Sequence, residues 1–205
     1  MGSGYLLSPL LARWGEPWRV FLGTALQTFF MLAGSFFLAA RYGRAAQVLG
    51  WTKPRWRFVA QGVRAGIFLF ILVSATGILE QMFSRVTPPP QEFTAVLLAA
   101  SSPAERVAAV LAAVILAPMG EETLFRGVLY RALAGRLGAG AGIIMSALIF
   151  GAMHLDLYRL LPLAVGGAGL AFMVRRSGSL WPAVVAHATW NGLMLALVFL
   201  VPQAG

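Results

Sequence analysis

Cysteine is absent from this 205-residue sequence, which excludes disulfides, thiol nucleophiles and cysteine-bound zinc. Charge is nearly as scarce. Asp, Glu, Lys and Arg make up 11% of the residues against 59% hydrophobic, whereas a soluble domain is about 25% charged. An ordinary water-soluble domain is excluded with it, because long uncharged stretches recur along the whole chain instead of forming one core segment. Acids are the rarest charged class, with 7 Asp and Glu against 16 Lys and Arg and a net charge of +9. In a soluble protein that excess would suggest nucleic acid. Here the basic residues sit mainly between hydrophobic stretches, as they do in the cytoplasmic loops of membrane proteins. The expected partner is therefore the lipid bilayer and not nucleic acid. No cleavable signal peptide is evident; the first apolar run is long enough to span and reads as a retained helix.

What the sequence does have is a succession of apolar segments. Val20–Ala40 is uncharged and of the length, about 20 residues, that one crossing of the hydrocarbon core needs. Arg41 to Arg57 follows as a basic loop, then Phe58–Leu79 as a second span, with Arg64 near one end where it can snorkel. Glu80 to Ser102 reads as a loop broken by Pro88-Pro89-Pro90, with a short interfacial helix over Gln91–Ala100. Ser102-Pro103-Ala104-Glu105 has the capping-box pattern with proline at the first helical position, so a third helix is expected from there to about Ala134. Leu137–His154, the short glycine-rich Leu160–Val174 and Leu180–Val201 complete the set. The expected fold is an all-α, polytopic transmembrane bundle of about six spans plus the interfacial helix, in a single domain over residues 1–205 without internal repeats. Basic and near-neutral connections alternate, which places both termini outside and the basic loops in the cytoplasm.

Ionisable groups within membrane segments are costly and mark functional sites by default. Three places carry them. In Glu121-Glu122-Thr123-Leu124-Phe125-Arg126, adjacent carboxylates interrupt a helix that is uncharged from Val107 to Gly120. Adjacent helical residues point about 100° apart. Glu122 and Arg126, four residues apart, can pair and leave Glu121 to face a cavity. Pro118 should kink the helix beside them. The second place is Phe150-Gly151-Ala152-Met153-His154 and the third His187-Ala188-Thr189-Trp190-Asn191, where His187 and Asn191 share a helix face. Each has a structural alternative taken singly: a Glu–Arg lock, a satisfied core histidine, or a polar pair that glues helices. Together they bring both histidines of the chain, its only adjacent carboxylates and an embedded asparagine into apolar helices. Such a set can activate water with a carboxylate and a histidine, and donate to a tetrahedral oxyanion with a second histidine and an amide. No serine in a Gly-x-Ser-x-Gly turn competes; Ser146 lacks it.

These residues carry a resemblance. Glu-Glu-x-x-x-Arg, Phe-x-x-x-His and His-x-x-x-Asn, in this order on successive helices, resemble the three motifs of the CPBP family. That family comprises the CAAX-processing and bacteriocin-processing intramembrane proteases, also called Abi, and includes the Rce1-type prenyl-protein endopeptidases. The resemblance covers roughly residues 102–200, leaving 1–101 as N-terminal spans and loop. It implies that Glu121 activates water with help from His154, that His187 and Asn191 form the oxyanion hole, and that Glu122, Arg126 and Phe150 support the site. Both metal-dependent and metal-free mechanisms have been described for the family. Zinc held by Glu121, His154 and His187 is chemically reasonable, but His-Glu-x-x-His is absent and asparagine is a poor zinc ligand, so no cofactor is favoured.

The expected function is an intramembrane endopeptidase of the glutamic type in a bacterial inner membrane. It would act on a lipid-modified protein or on a peptide with a C-terminal sorting tail. A non-enzymatic immunity or scaffold protein of the same fold would show decayed motifs, and none is decayed. A small proton-coupled transporter would show paired broken helices, and only Leu160–Val174 is a candidate. One geometric condition follows. In regular spans His154 lies near one end of its helix and His187 near the opposite side of the membrane. They can meet only through strong tilt or an irregular Leu160–Val174. A separation above about 12 Å would leave them unable to serve one reacting carbonyl.

Overall fold

The computed structural model describes residues 15–84 and 92–200. Among these residues there are helices and connections but no strand. The long helices are α1 (Glu16–Ala40), α3 (Trp56–Ser84), α5 (Pro103–Leu137), α6 (Ala139–Met153), α7 (Leu160–Ser177) and α8 (Trp181–Leu200). Two short ones join them: α2 (Ala45–Leu49) within the basic connection and α4 (Glu92–Ala99), the expected short helix. The all-α membrane bundle read from composition is thus present. The Pro88-Pro89-Pro90 run and Val201 lie outside the described residues.

Among the described residues α1, α3 and α5 are long and apolar enough to cross a membrane, while α6 is apolar but shorter. The side chains follow the solvent expected of a bilayer. Phe29, Phe30 and Phe37 of α1 and Phe68 and Ile71 of α3 point outward, which in water would make large apolar patches. Small residues take the inside. A Cβ at Gly62 or Gly66 of α3 would stand 2.5 Å from Val185 or Thr189 of α8. These glycines let the two helices approach closely, which is how helices pack where lipid supplies no hydrophobic drive.

Several boundaries differ from the sequence reading. Phe58–Leu79 extends to Trp56–Ser84, so Glu80 lies in a helix and not in a loop. The fourth helix starts after a break at Gly138, whose φ of 84° is left-handed, and it ends one residue before His154. The short, irregular Leu160–Val174 is overturned: α7 is a continuous helix over Leu160–Ser177. Its glycines serve close packing and not a break. A Cβ at Gly166 would lie 2.6 Å from the Trp190 ring, and one at Gly167 would crowd Phe150 and Arg126.

The irregularity sits in α5 instead. The capping box forms as expected: Ser102 Oγ accepts from the Glu105 amide, and Glu105 accepts from the Ser102 amide at 3.1 Å. Ala112–Leu116 and Glu122–Tyr130 then widen into π-helical turns on either side of a short α-helical stretch, Ala117–Glu121. Pro118 has no N–H and crowds the carbonyl four residues back, and a wider turn relieves that clash. Two carbonyls of the first widened turn accept from neighbouring helices. Asn191 Nδ2 donates to Ala113 O at 2.8 Å, and Thr28 Oγ1 donates to Leu116 O at 2.9 Å.

Candidate active site

The second widened turn begins at Glu122 and holds the acids on different faces. Glu122 is fully buried, and its Oε1 accepts from Arg126 Nη1 at 2.9 Å. Arg126 is buried too. Its Nη2 donates to Gly167 O at 3.2 Å, and its guanidinium lies 4.4 Å from the centre of the Phe150 ring. The pair suggested by the i,i+4 spacing therefore exists, and it is locked from α6 and α7 as well. Glu121 is free of that lock and lines a cavity of about 180 Å³.

His187 lies in the second turn of α8 and reaches both acids. Its Nδ1 is 2.8 Å from Glu122 Oε1, and its Nε2 is 3.9 Å from Glu121 Oε2. Trp190 stacks on the imidazole with centroids 5.6 Å apart and 30° between planes. Gly166 leaves the room that Trp190 needs. Asn191, one turn beyond His187, lines the same cavity, with its amide oriented by Ala113 O.

His154 caps the C-terminal end of α6, with Nδ1 2.8 Å from Phe150 O. It borders the same cavity. Phe150, completely buried, stands between the histidines, 4.9 Å from the His154 ring and 6.0 Å from the His187 ring. These two spacings keep the imidazoles within the limit of about 12 Å set above. The depth mismatch is reduced because α6 has 15 residues, a rise of about 22 Å, and so stops short of a full crossing of about 30 Å.

The structure thus brings Glu121, Phe150, His154, His187 and Asn191 to one cavity, with Glu122 and Arg126 behind it. Sequence reasoning missed Trp190, the Gly166–Gly167 seat, and the pair Asp156 and Arg159. These last two form an ion pair and also line the cavity. Their three-residue spacing was visible, but the turn after His154 that folds them back was not. That turn passes through Leu155, a non-glycine residue at φ 53°, a conformation that is uncommon for a branched side chain. Among the described residues, no three His, Asp or Glu side chains are grouped closely enough to hold a metal ion. His187 Nδ1 is engaged by Glu122 and His154 Nδ1 by Phe150 O, which leaves the Nε2 atom of each ring open to other partners.

Comparison with known proteins shows what the chain is similar to. The chain is similar to "Putative membrane peptidase YdiL" of Bacillus subtilis (strain 168), with 30% identity over 83 residues, 40% of this chain. The match spans 34% of that relative's length. No solved structure matches at a comparable level of significance. Residues 103–193, which run from the start of α5 past Asn191, match the family described as type II CAAX prenyl endopeptidase Rce1-like, so the resemblance read from the three motifs holds over the segment that builds the cavity.

Proposed function

We propose that this chain is an intramembrane endopeptidase in which Glu121 activates the attacking water. The observation that carries the reading is the shared cavity: a carboxylate outside the Glu122–Arg126 lock, two histidines and an asparagine amide border one small space. Glu121 takes a proton from water as the oxygen attacks the scissile carbonyl carbon. The oxyanion that forms accepts hydrogen bonds from His187 and from the Asn191 amide. His154, which borders the same cavity, orients the water. When the C–N bond breaks, the proton held by Glu121 passes to the leaving amine. No step needs a metal. The substrate class that fits the Rce1-like resemblance is a peptide or protein tail at the membrane, either lipid-modified or bearing a C-terminal sorting segment. The setting is a bacterial inner membrane.

The test is cleavage of prenylated and unprenylated tailed peptides by the protein reconstituted in lipid. Glu121→Gln keeps the shape of the side chain and removes the base. A fall of about 10²–10⁴-fold in turnover with unchanged thermal unfolding is expected. Wild-type turnover in Glu121→Gln would refute the assignment.

A further inference from the structure

We infer that Pro118 is a positioning residue for the reaction: the N–H it lacks leaves the Ala113 carbonyl open to Asn191, and that bond sets the direction of the second Asn191 N–H. The inference rests on the peptidase reading, in which Asn191 donates to the oxyanion, and deepens it.

In a helix each carbonyl accepts from the N–H four residues on, or five residues on in a widened turn. For Ala113 those donors are positions 117 and 118. The Ala117 N–H is committed one residue earlier, to Ala112 O. Position 118 is proline and has no N–H. Neither helical donor therefore serves Ala113 O. An unpaired carbonyl is costly in an apolar interior. This one finds its partner on another helix, where Asn191 Nδ2 donates to it at 2.8 Å.

That bond decides how the Asn191 amide lies. A carbonyl oxygen only accepts, so the group facing Ala113 O is the NH₂ and not Oδ1. The NH₂ carries two hydrogens in the plane of the amide. With one on Ala113 O, the direction of the second is set. Ala113, Glu121 and Asn191 all border the cavity, so the second N–H is held beside the space where the oxyanion forms. An amide without this anchor could turn over and present Oδ1, which repels an oxyanion. A donor fixed in advance avoids that reorganisation during the reaction.

Pro118, fully buried, keeps the arrangement open. A residue with an N–H at 118 supplies Ala113 O with a helical donor in either register. If the turn stays wide, the new N–H takes Ala113 O. If it closes to an ordinary α-helix, the Ala117 N–H takes it. In both cases the carbonyl is drawn along the helix axis and away from α8. Proline inside a helix is ordinarily less stable than alanine, so at this position stability and function are set against each other.

Pro118→Ala is therefore expected to keep or raise Tm in detergent. Its kcat on the tailed peptides should fall about 10-fold or more with KM unchanged, within the roughly 10²–10³-fold that loss of an oxyanion donor costs. Because Pro118 acts through Asn191, the same substitution in an Asn191→Ala background should cost nothing further. Asn191 is the only asparagine in the chain, so protein labelled with ¹⁵N-asparagine gives a single side-chain NH₂ by NMR. In the wild type one of its protons should lie downfield and exchange slowly with water. In Pro118→Ala that proton should move upfield and exchange faster. Pro118→Ser restores the same N–H and should match. Losses that add in the double variant, a Tm that falls in step with turnover, or an Asn191 signal unchanged by either substitution overturns the proposal. So does a wild-type NH₂ without a downfield, slowly exchanging proton. The NMR readout needs no substrate, so its failure is distinguishable from failure of the Glu121→Gln cleavage test.

Discussion

Replacing Arg126 by alanine tests whether the site rests on a buried charge lock. Both partners are almost fully inaccessible, and the guanidinium makes three kinds of contact: an ion pair with Glu122 at 2.9 Å, a hydrogen bond to Gly167 O at 3.2 Å, and ring contact with Phe150 at 4.4 Å. Removing one member of a buried pair strands the other charge and costs about 3–5 kcal/mol. For a chain of this size each kcal/mol moves the unfolding midpoint by about 2–4 °C, so Arg126→Ala should lower Tm by roughly 6–20 °C. Arg126→Lys keeps the charge but cannot reach Glu122 and Gly167 O with one rigid fork, and should fall in between. The double variant Glu122→Leu with Arg126→Met removes both charges at similar volume and should recover most of the loss. Thermal unfolding of all four proteins in one detergent makes the comparison. An Arg126→Ala protein as stable as wild type, or a double variant no better than the single one, would refute the lock.

Other predictions concern the cavity and the packing that shapes it. Asn191→Ala removes one proposed oxyanion donor, and turnover on the tailed peptides should drop by about 10²–10³-fold. A chelator should leave wild-type cleavage unchanged, measured in parallel with a zinc-dependent peptidase as a positive control; lost cleavage would restore the metal mechanism. Gly62→Ala puts a methyl 2.5 Å from Val185 and 2.9 Å from the Pro182 carbonyl. It should therefore cost about 1–3 kcal/mol. Gly23→Ala, with nothing within 4 Å of its Cβ, should stabilise α1 by about 0.5–1 kcal/mol. Thermal unfolding separates the two.

Helix existence was legible in the chain because it depends on local quantities. Uncharged length predicts a membrane segment, and a Ser-Pro-x-Glu start predicts a helix with its first amides satisfied; α1, α3 and the Ser102 cap follow from these alone. The candidate residues were legible for a similar reason. An embedded Glu, His or Asn stands out against an apolar background, and i,i+4 spacing shows which side chains share a face before any fold is known.

Tertiary structure decided the rest. Whether Gly166 and Gly167 break a helix or seat a neighbour depends on what approaches them, here Trp190, Phe150 and Arg126 from other elements. The strain of Pro118 appears as widened turns, and the carbonyls of the first accept from Asn191 and Thr28, partners distant in sequence. The recruitment of Asp156 and Arg159 to the cavity depends on a left-handed Leu155, which their spacing does not announce. Glu121 and Glu122 are chemically identical neighbours in the sequence. Their spacing to Arg126 separates them as a lock and a free acid, but the packing of α8 against α5 decides their partner, giving one the Nδ1 side of His187 and the other the Nε2 side that opens to the cavity.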